Sequence, residues 1–211
     1  MRNVNLHGVH AFCRALFRDP ALLLPHFSYK SFNDIPFQTL KRLGFRGLVI
    51  DKDNTLTVPH ERTLRPEYQN AINECKRLFK IVIFSNSAGS SADTDFSEAN
   101  QIESELQIPV LRHHTKKPHG INSIRAHFHP IPIQQLVMIG DRYSTDVLFG
   151  NLNGLLTIRT DQFTRKGERF GNVLLQQLEQ KCIQRVLTRG VGPCAHPMAH
   201  PSILPVQLKA L

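Results

Sequence analysis

The 211-residue chain contains no tryptophan, and no apolar run approaches the ~20 residues that a membrane-spanning helix needs. If membranes matter to this protein, it lies on them. Its four cysteines, Cys13, Cys75, Cys182 and Cys194, form no Cys-x-x-Cys pair and no regular framework. That pattern argues against a disulfide scaffold and fits a reducing compartment. No stretch interleaves basic and aromatic residues as a nucleic-acid platform does. Acidic residues are scarce at both ends. Residues 51–163 hold 12 Lys+Arg against 13 Asp+Glu, which leaves 14 basic against 4 acidic residues in the flanks. Basic flanks suit an anionic bilayer, a nucleic acid or a targeting sequence, and equally a solvated surface.

What is present is concentrated in the neutral middle. Gly47-Leu48-Val49-Ile50 is an apolar run of strand length, and Asp51-Lys52-Asp53-Asn54-Thr55-Leu56-Thr57 follows it directly. Two carboxylates at i, i+2 on a strand end can converge on one point, and they repel unless a cation or proton offsets them. Such a pair suits Mg²⁺-dependent phosphoryl transfer, with Asp51 as nucleophile and Asp53 as general acid and then base. Alone, the motif is equally an acidic turn after a strand.

Three further segments repeat the arrangement. Ile81-Val82-Ile83-Phe84 ends in Ser85-Asn86-Ser87-Ala88-Gly89, where the Ser85 hydroxyl and the Asn86 amide can bind phosphoryl oxygens. Lys116-Lys117-Pro118 precedes an expected helix; Lys117, its backbone limited by Pro118, can neutralise charge on a transferring group. Leu136-Val137-Met138-Ile139-Gly140 runs into Asp141-Arg142-Tyr143-Ser144-Thr145-Asp146. Asp141 is placed as a further Mg²⁺ carboxylate beside Asp51 and the Asp53 backbone carbonyl. Asp146 is an outer or alternate ligand, or a helix-start acid.

Strands are expected at 46–50, 81–85, 109–112, 136–140 and 155–159, and helices at 65–79, 91–106, 118–128, 144–150 and 171–190. Alternation of this kind implies βαβ units and a Rossmann-like parallel sheet of about five strands with flanking helices. Functional groups then gather at the carboxyl ends of the strands.

The ordered set Asp-x-Asp, Ser, Lys, Asp resembles the haloacid dehalogenase superfamily of phosphohydrolases. Asp51-Lys52-Asp53-Asn54, Phe84-Ser85-Asn86-Ser87-Ala88-Gly89, Ile108-Pro109-Val110-Leu111-Arg112-His113, Thr115-Lys116-Lys117-Pro118 and Gly140-Asp141-Arg142 narrow it. With Ser31-Phe32-Asn33-Asp34-Ile35-Pro36 and Leu64-Arg65-Pro66-Glu67-Tyr68, they are similar to the mitochondrial phosphatidylglycerophosphate phosphatase family, over residues 30–160. The resemblance implies removal of the terminal phosphate from an anionic phospholipid, phosphatidylglycerophosphate, on the matrix face of the inner mitochondrial membrane. The resulting phosphatidylglycerol is a precursor of cardiolipin. The intervals from Thr57 to Ser85 and from Ser85 to Lys117 leave no room for a cap domain, so the implied form is capless with an open site. An open site suits a phosphate presented on something large. Rival readings are another phosphomonoester substrate on the same scaffold, or a basic membrane-binding protein that keeps only the fold.

The chain therefore divides into a basic segment 1–29, a phosphatase domain 30–170, and a C-terminal helix with a Pro/His-containing tail, 171–211. The first segment is a transit-like sequence, an interfacial helix or an ordinary first helix, and Arg14 and Arg18 beside Phe12, Leu16 and Phe17 are its expected membrane contacts. Cys194, His196 and His200 have ligand-like spacing, but Pro193, Pro197 and Pro201 among them favour a loose tail over a metal site. His113, His114, His127 and His129 read as surface or packing residues, with His114 able to approach the Lys117 loop.

Overall fold

The apolar runs that end in polar motifs become parallel strands. In a computed structural model, which describes residues 6–164 and 170–199, the sheet has five strands. These are β1 (Phe27–Tyr29), β2 (Gly47–Ile50), β3 (Lys80–Ile83), β4 (Leu136–Gly140) and β5 (Leu156–Thr160), in the order β1-β5-β4-β2-β3. The helices are α1 (Leu6–Arg18), α2 (Phe37–Arg42), α3 (Gln69–Leu78), α4 (Ser97–Leu106), α5 (Ile121–Phe128), α6 (Leu148–Asn153) and α7 (Phe170–Thr188).

The strands are apolar throughout because both sheet faces are covered. Leu48, Ile50, Val137 and Ile139 pack with residues of α2, α3 and α4, whereas Val49, Val82 and Met138 pack with Ile124 and Phe128 of α5 and Phe149 of α6. The chain leaves β2 for β3 on one side and resumes the sheet with β4 on the other. The carboxyl ends of β2 and β4 therefore flank the switch point, where open α/β sheets bind ligands. Register aligns Ile50 with Ile139, and Asp51 N–H donates to Ile139 O at 2.8 Å. Asp51 thus starts beside Gly140 and Asp141.

Several sequence-based expectations change. The strand expected at 109–112 shrinks to one bridge between Ile83 and Val110, beside Pro109, which has no N–H to give a ladder. The fifth strand is instead β1, paired with β5, so residues 27–29 of the basic N-terminal segment belong to the sheet. The helix expected from residue 91 begins at Ser97, because the buried Asp93 carboxylate accepts from the Gly89, Glu98 and Ala99 N–H groups and folds 89–99 into turns. The helix expected from Pro118 begins at Ile121, after Gly120 at φ 102°. Lys117 thus sits in a loop.

The N-terminal helix packs on its own fold. Phe12 and Ala15 of α1 are buried with Leu23, Leu24, Leu148, Ile183 and Val186, which removes Phe12 from the expected membrane contacts. Phe17, 85% exposed, and the exposed Arg14 and Arg18 still face outward. The basic residues Arg165, Lys166 and Arg169 lie outside the described residues. No helix among the described residues is long and apolar enough to cross a membrane.

Among the described residues after α7, His196 packs against the fold. His196 is buried, stacks on Phe45 with ring centroids 5.9 Å apart, and meets His26 edge-on at 5.4 Å. Among the described residues, neither His196 nor Cys194 joins a metal-competent cluster; His200 lies outside them. His26 Nδ1 accepts from Thr157 N–H (3.1 Å) and His196 Nδ1 from Met198 N–H (3.2 Å), so both rings are held neutral.

Burial, then the charge of His196, pushes the His26 pKa down to about 4, and burial also lowers that of His196. The unfolded chain, with histidine near ~6.5, binds the extra protons, so these groups favour the fold above that pH and withdraw support as pH falls towards 4. For His26 alone the loss between pH 7 and pH 5 is about 2 kcal/mol. Thermal melts should show a shallower acid slope in His196→Phe than in wild type; identical slopes would remove these histidines as the cause.

Candidate active site

The Asp51 motif folds back on itself at the tip of β2. Lys52 O accepts from the Leu56 and Thr57 N–H groups, Thr57 O accepts from Asn54 N–H, and Asn54 takes the left-handed φ of 60° that asparagine tolerates. This tight loop sends the side chains of Asp51 and Asp53 to different partners. Asp51 turns inward. Its carboxylate oxygen lies 2.6 Å from Lys117 Nζ, which also meets Asp146 at 2.5 Å.

Asp51, Asp141 and Asp146 each place a carboxylate oxygen within 4.8 Å of the others. Asp146, expected as an outer or alternate ligand, thus stands within the cluster, carried there by a single π-turn, Tyr143–Val147. Gly140 admits it: a Cβ at that position would lie 2.5 Å from Asp146 Cγ. The glycine serves this close approach, since its φ is not in the left-handed region.

Of the three buried carboxylates, two, those of Asp51 and Asp146, meet the Lys117 ammonium. Burial alone opposes the Lys117 charge, but Asp146 and Asp51 outweigh it and push its pKa up to about 12. Burial pushes Asp51 up to about 7 against the opposing charge of Lys117, with Asp146 and Asp53 adding to the rise. Asp141 is also raised well above its usual range, by burial and then by Asp146 and Asp51. The cluster therefore lacks positive charge, which is the condition a hard divalent cation with oxygen ligands satisfies. Gln162 Nε2 donates to Asp141 Oδ2 at 2.5 Å and orients it.

The Asp53 carboxylate lies outside the cluster and is 30% exposed. It faces Lys52 Nζ at 2.6 Å, Ser87 Oγ at 3.3 Å and the His60 N–H at 3.1 Å. Lys52 is wholly buried and also donates to Glu61 O at 2.9 Å. The Ser85 hydroxyl is buried and meets Ser87 Oγ at 2.9 Å, so Ser85, Ser87 and Asp53 form a chain. Asn86 Oδ1 accepts from Lys117 N–H at 2.7 Å, fastening the Lys117 loop to the tip after β3.

His113 was missed. It is His113, not the exposed His114, that reaches the site. Its ring nitrogens face Ser85 O at 2.9 Å and Thr115 O at 2.7 Å, bridging the Ser85 and Lys117 loops. Burial lowers its pKa although both carbonyls favour the cation. Ser87 and Gln162 were also missed; only the Ser-Asn-Ser spacing hinted at the first.

Gly140→Ala should destabilise the fold by ~1–3 kcal/mol, the usual cost of overpacking. Gly171→Ala, which meets nothing within 4 Å on α7, should be neutral or stabilising. Urea denaturation of both variants tests this; an unchanged Gly140→Ala midpoint would show that Asp146 does not depend on that contact.

With this geometry described, comparison with known proteins is informative. The family model for mitochondrial PGP phosphatase matches residues 6–163, so the match includes α1 and β1. The chain is 40% identical over 212 residues to phosphatidylglycerophosphate phosphatase 1, chloroplastic, of Chlamydomonas reinhardtii, covering 99% of this chain and 78% of that protein. It is 38% identical to the chloroplastic/mitochondrial phosphatidylglycerophosphate phosphatase 1 of Arabidopsis thaliana, over 93% of this chain and 58% of that one. Identity to the mitochondrial phosphatidylglycerophosphatase of Saccharomyces cerevisiae is 34%, over 72% and 84%. No solved structure matches. The chain, with its carboxylate cluster and Lys117 at the tips of a five-stranded parallel sheet, belongs to the mitochondrial PGP phosphatase family.

Proposed function

We propose that the protein is a Mg²⁺-dependent phosphatase that removes the terminal phosphate of phosphatidylglycerophosphate in an organelle, the mitochondrion, at the matrix face of the inner membrane. The observation that carries this reading is Asp51, ion-paired with Lys117 and clustered with Asp141 and Asp146 at the sheet's switch point. The relatives' names supply the substrate, and the family's description with the name of the Saccharomyces cerevisiae relative supplies the mitochondrion.

In this reading the Asp51 carboxylate attacks phosphorus, the ester P–O bond breaks, and the aspartyl-phosphate forms while Asp53 gives a proton to the leaving glycerol oxygen. Asp53 then takes a proton from water, which attacks the same phosphorus and frees phosphate and Asp51. Ser85 and Lys117 hold the phosphoryl oxygens. Asp51, Asp141 and Asp146 would hold Mg²⁺, with the Asp53 carbonyl; when bound it would offset the excess carboxylate charge and polarise the phosphoryl group. Between Thr57 and Ser85 the described chain holds only turns, α3 and β3, so no inserted domain covers Asp53. A phosphate fixed on a bilayer can enter such a site.

Phosphate release from a panel of lipid and soluble phosphomonoesters should be fastest with phosphatidylglycerophosphate and should vanish in excess EDTA. Asp51→Asn should abolish it, and Asp53→Asn should slow it by ~10²–10⁴-fold. Equal rates across the panel would sink the substrate assignment, and a few-fold effect of Asp53→Asn would remove its proton-transfer role.

Peripheral membrane contact through α1 is part of the same proposal. Phe17 would insert while Arg14 and Arg18 meet anionic lipid, each worth about 1 kcal/mol. Cosedimentation with anionic liposomes should weaken with salt and in Phe17→Ser. Equal sedimentation of Phe17→Ser and wild type would place the contact elsewhere.

A further inference from the structure

A depression not used by the steps above lies beside Asp141 and along α7, in two adjoining parts. Its inner end lies against Asp141, Arg142, Arg159, Gln162 and Glu179. Beyond it a groove of about 500 Å³ shares Tyr143, Arg159 and Gln180 with that inner end and continues to Lys181 and Arg185. Gln162, which donates to Asp141, lines the inner part.

The groove has cationic chemistry left over after its internal pairs are counted. Arg142 pairs with Glu179 at 3.2 Å, and Arg159 pairs with Asp161 at 2.9 Å and lies over the Tyr143 ring. Both arginines nevertheless keep a buried Nε–H that has no acceptor among the described residues. An orphaned buried donor is costly, and guanidinium donors match phosphate oxygens well. Lys181 and Arg185 are exposed one turn apart on α7 and form no ion pair among the described residues. Gln177, Gln180 and Gln184 share that helix face and offer amide donors between the charges.

Resting on the function proposed above, we propose that this groove binds the substrate's second phosphate, the phosphodiester that joins the glycerol to the diacylglycerol. The terminal phosphate would sit at Asp51 while the diester anion meets Arg159, Lys181 and Arg185. Such a site would distinguish a lipid with two phosphate groups from a simple phosphomonoester. It would also orient the acyl chains outward along α7, where Leu174 and Leu178 are about half exposed.

The test compares wild type with Lys181→Glu/Arg185→Glu, two exposed positions whose change leaves the core intact. Three substrates are used: short-chain phosphatidylglycerophosphate kept monomeric, the long-chain lipid in neutral vesicles, and 4-nitrophenyl phosphate, which has no diester. For the monomeric lipid, KM should rise about tenfold, roughly the worth of one charge-assisted contact. The ratio of kcat/KM for that lipid to kcat/KM for 4-nitrophenyl phosphate should fall by the same factor. An unchanged KM for the monomeric lipid overturns the site. So does a loss confined to vesicles, which would make these residues membrane contacts, and so does an equal loss on both soluble substrates. Failure of the underlying function shows separately, in wild type, as cleavage of 4-nitrophenyl phosphate without cleavage of either lipid.

Discussion

The Lys117 ammonium is what allows three carboxylates to be buried together at the tips of β2 and β4. Lys117 is 1% exposed, and it touches Asp51 and Asp146 directly. Removing one partner of such a buried pair typically costs 3–5 kcal/mol, because a charge is stranded in low dielectric. Much of the surrounding structure serves to keep this lysine in place. Asn86 holds its backbone N–H, and His113 ties the preceding loop to Ser85. Arg142 N–H donates to Asp146 Oδ2 at 3.1 Å, fixing the other side of the pair. The cluster still carries more negative than positive charge, so its stability and the cation binding proposed above would have one electrostatic origin.

A second lysine separates the two aspartates of the motif. Lys52 lies between them in sequence, but its ammonium is buried on the far side and pairs with Asp53. The two carboxylates, two residues apart, therefore occupy unlike environments: Asp51 in a crowded, buried anionic cluster, Asp53 at an open edge with its own cation and a serine hydroxyl. Divergent surroundings are how one motif provides a nucleophile and a proton carrier, since identical environments would make the residues interchangeable. In the proposed reaction Lys52 is thus a positioning group, holding Asp53 where the leaving oxygen emerges.

The parts of this arrangement legible in the sequence are those governed by hydrophobic burial and residue type. Central strands buried on both faces leave continuous apolar runs, so β2, β3, β4 and β5 and their acidic or hydroxyl tips could be read directly. Strand β1 was invisible because Phe27-Ser28-Tyr29 is three residues with no apolar run, and it pairs only through β5. At the other edge, the apolar 109–112 segment looked like a strand but makes a single bridge. Residue types identified Asp51, Ser85, Lys117 and Asp141, yet not which groups they touch. Asp146 was underrated because its place depends on a π-turn and on the missing Cβ of Gly140. His113 acts on the Ser85 carbonyl, distant in sequence, and Asp93 gathers nearby N–H groups through turns; no spacing rule reveals either contact.

The basic flanks take on a different meaning once folded. Read linearly, they are two charged ends around a neutral enzyme core. In the structure α1 and α7 pack together with Leu148 of α6, and Tyr143 of the turn after Asp141 lies against the same cluster. The two flanks therefore meet beside the catalytic loop. Attraction between their lysines and arginines and an anionic surface would act within a Debye length of ~10 Å at 0.1 M salt. Under the proposed membrane contact, this packing would bring those charges and the reacting groups to the surface together. Among the described residues no inserted domain lies between Thr57 and Ser85. In the proposed reading the membrane would take the role of a lid, excluding water from one side while the flanking helices set how the headgroup enters.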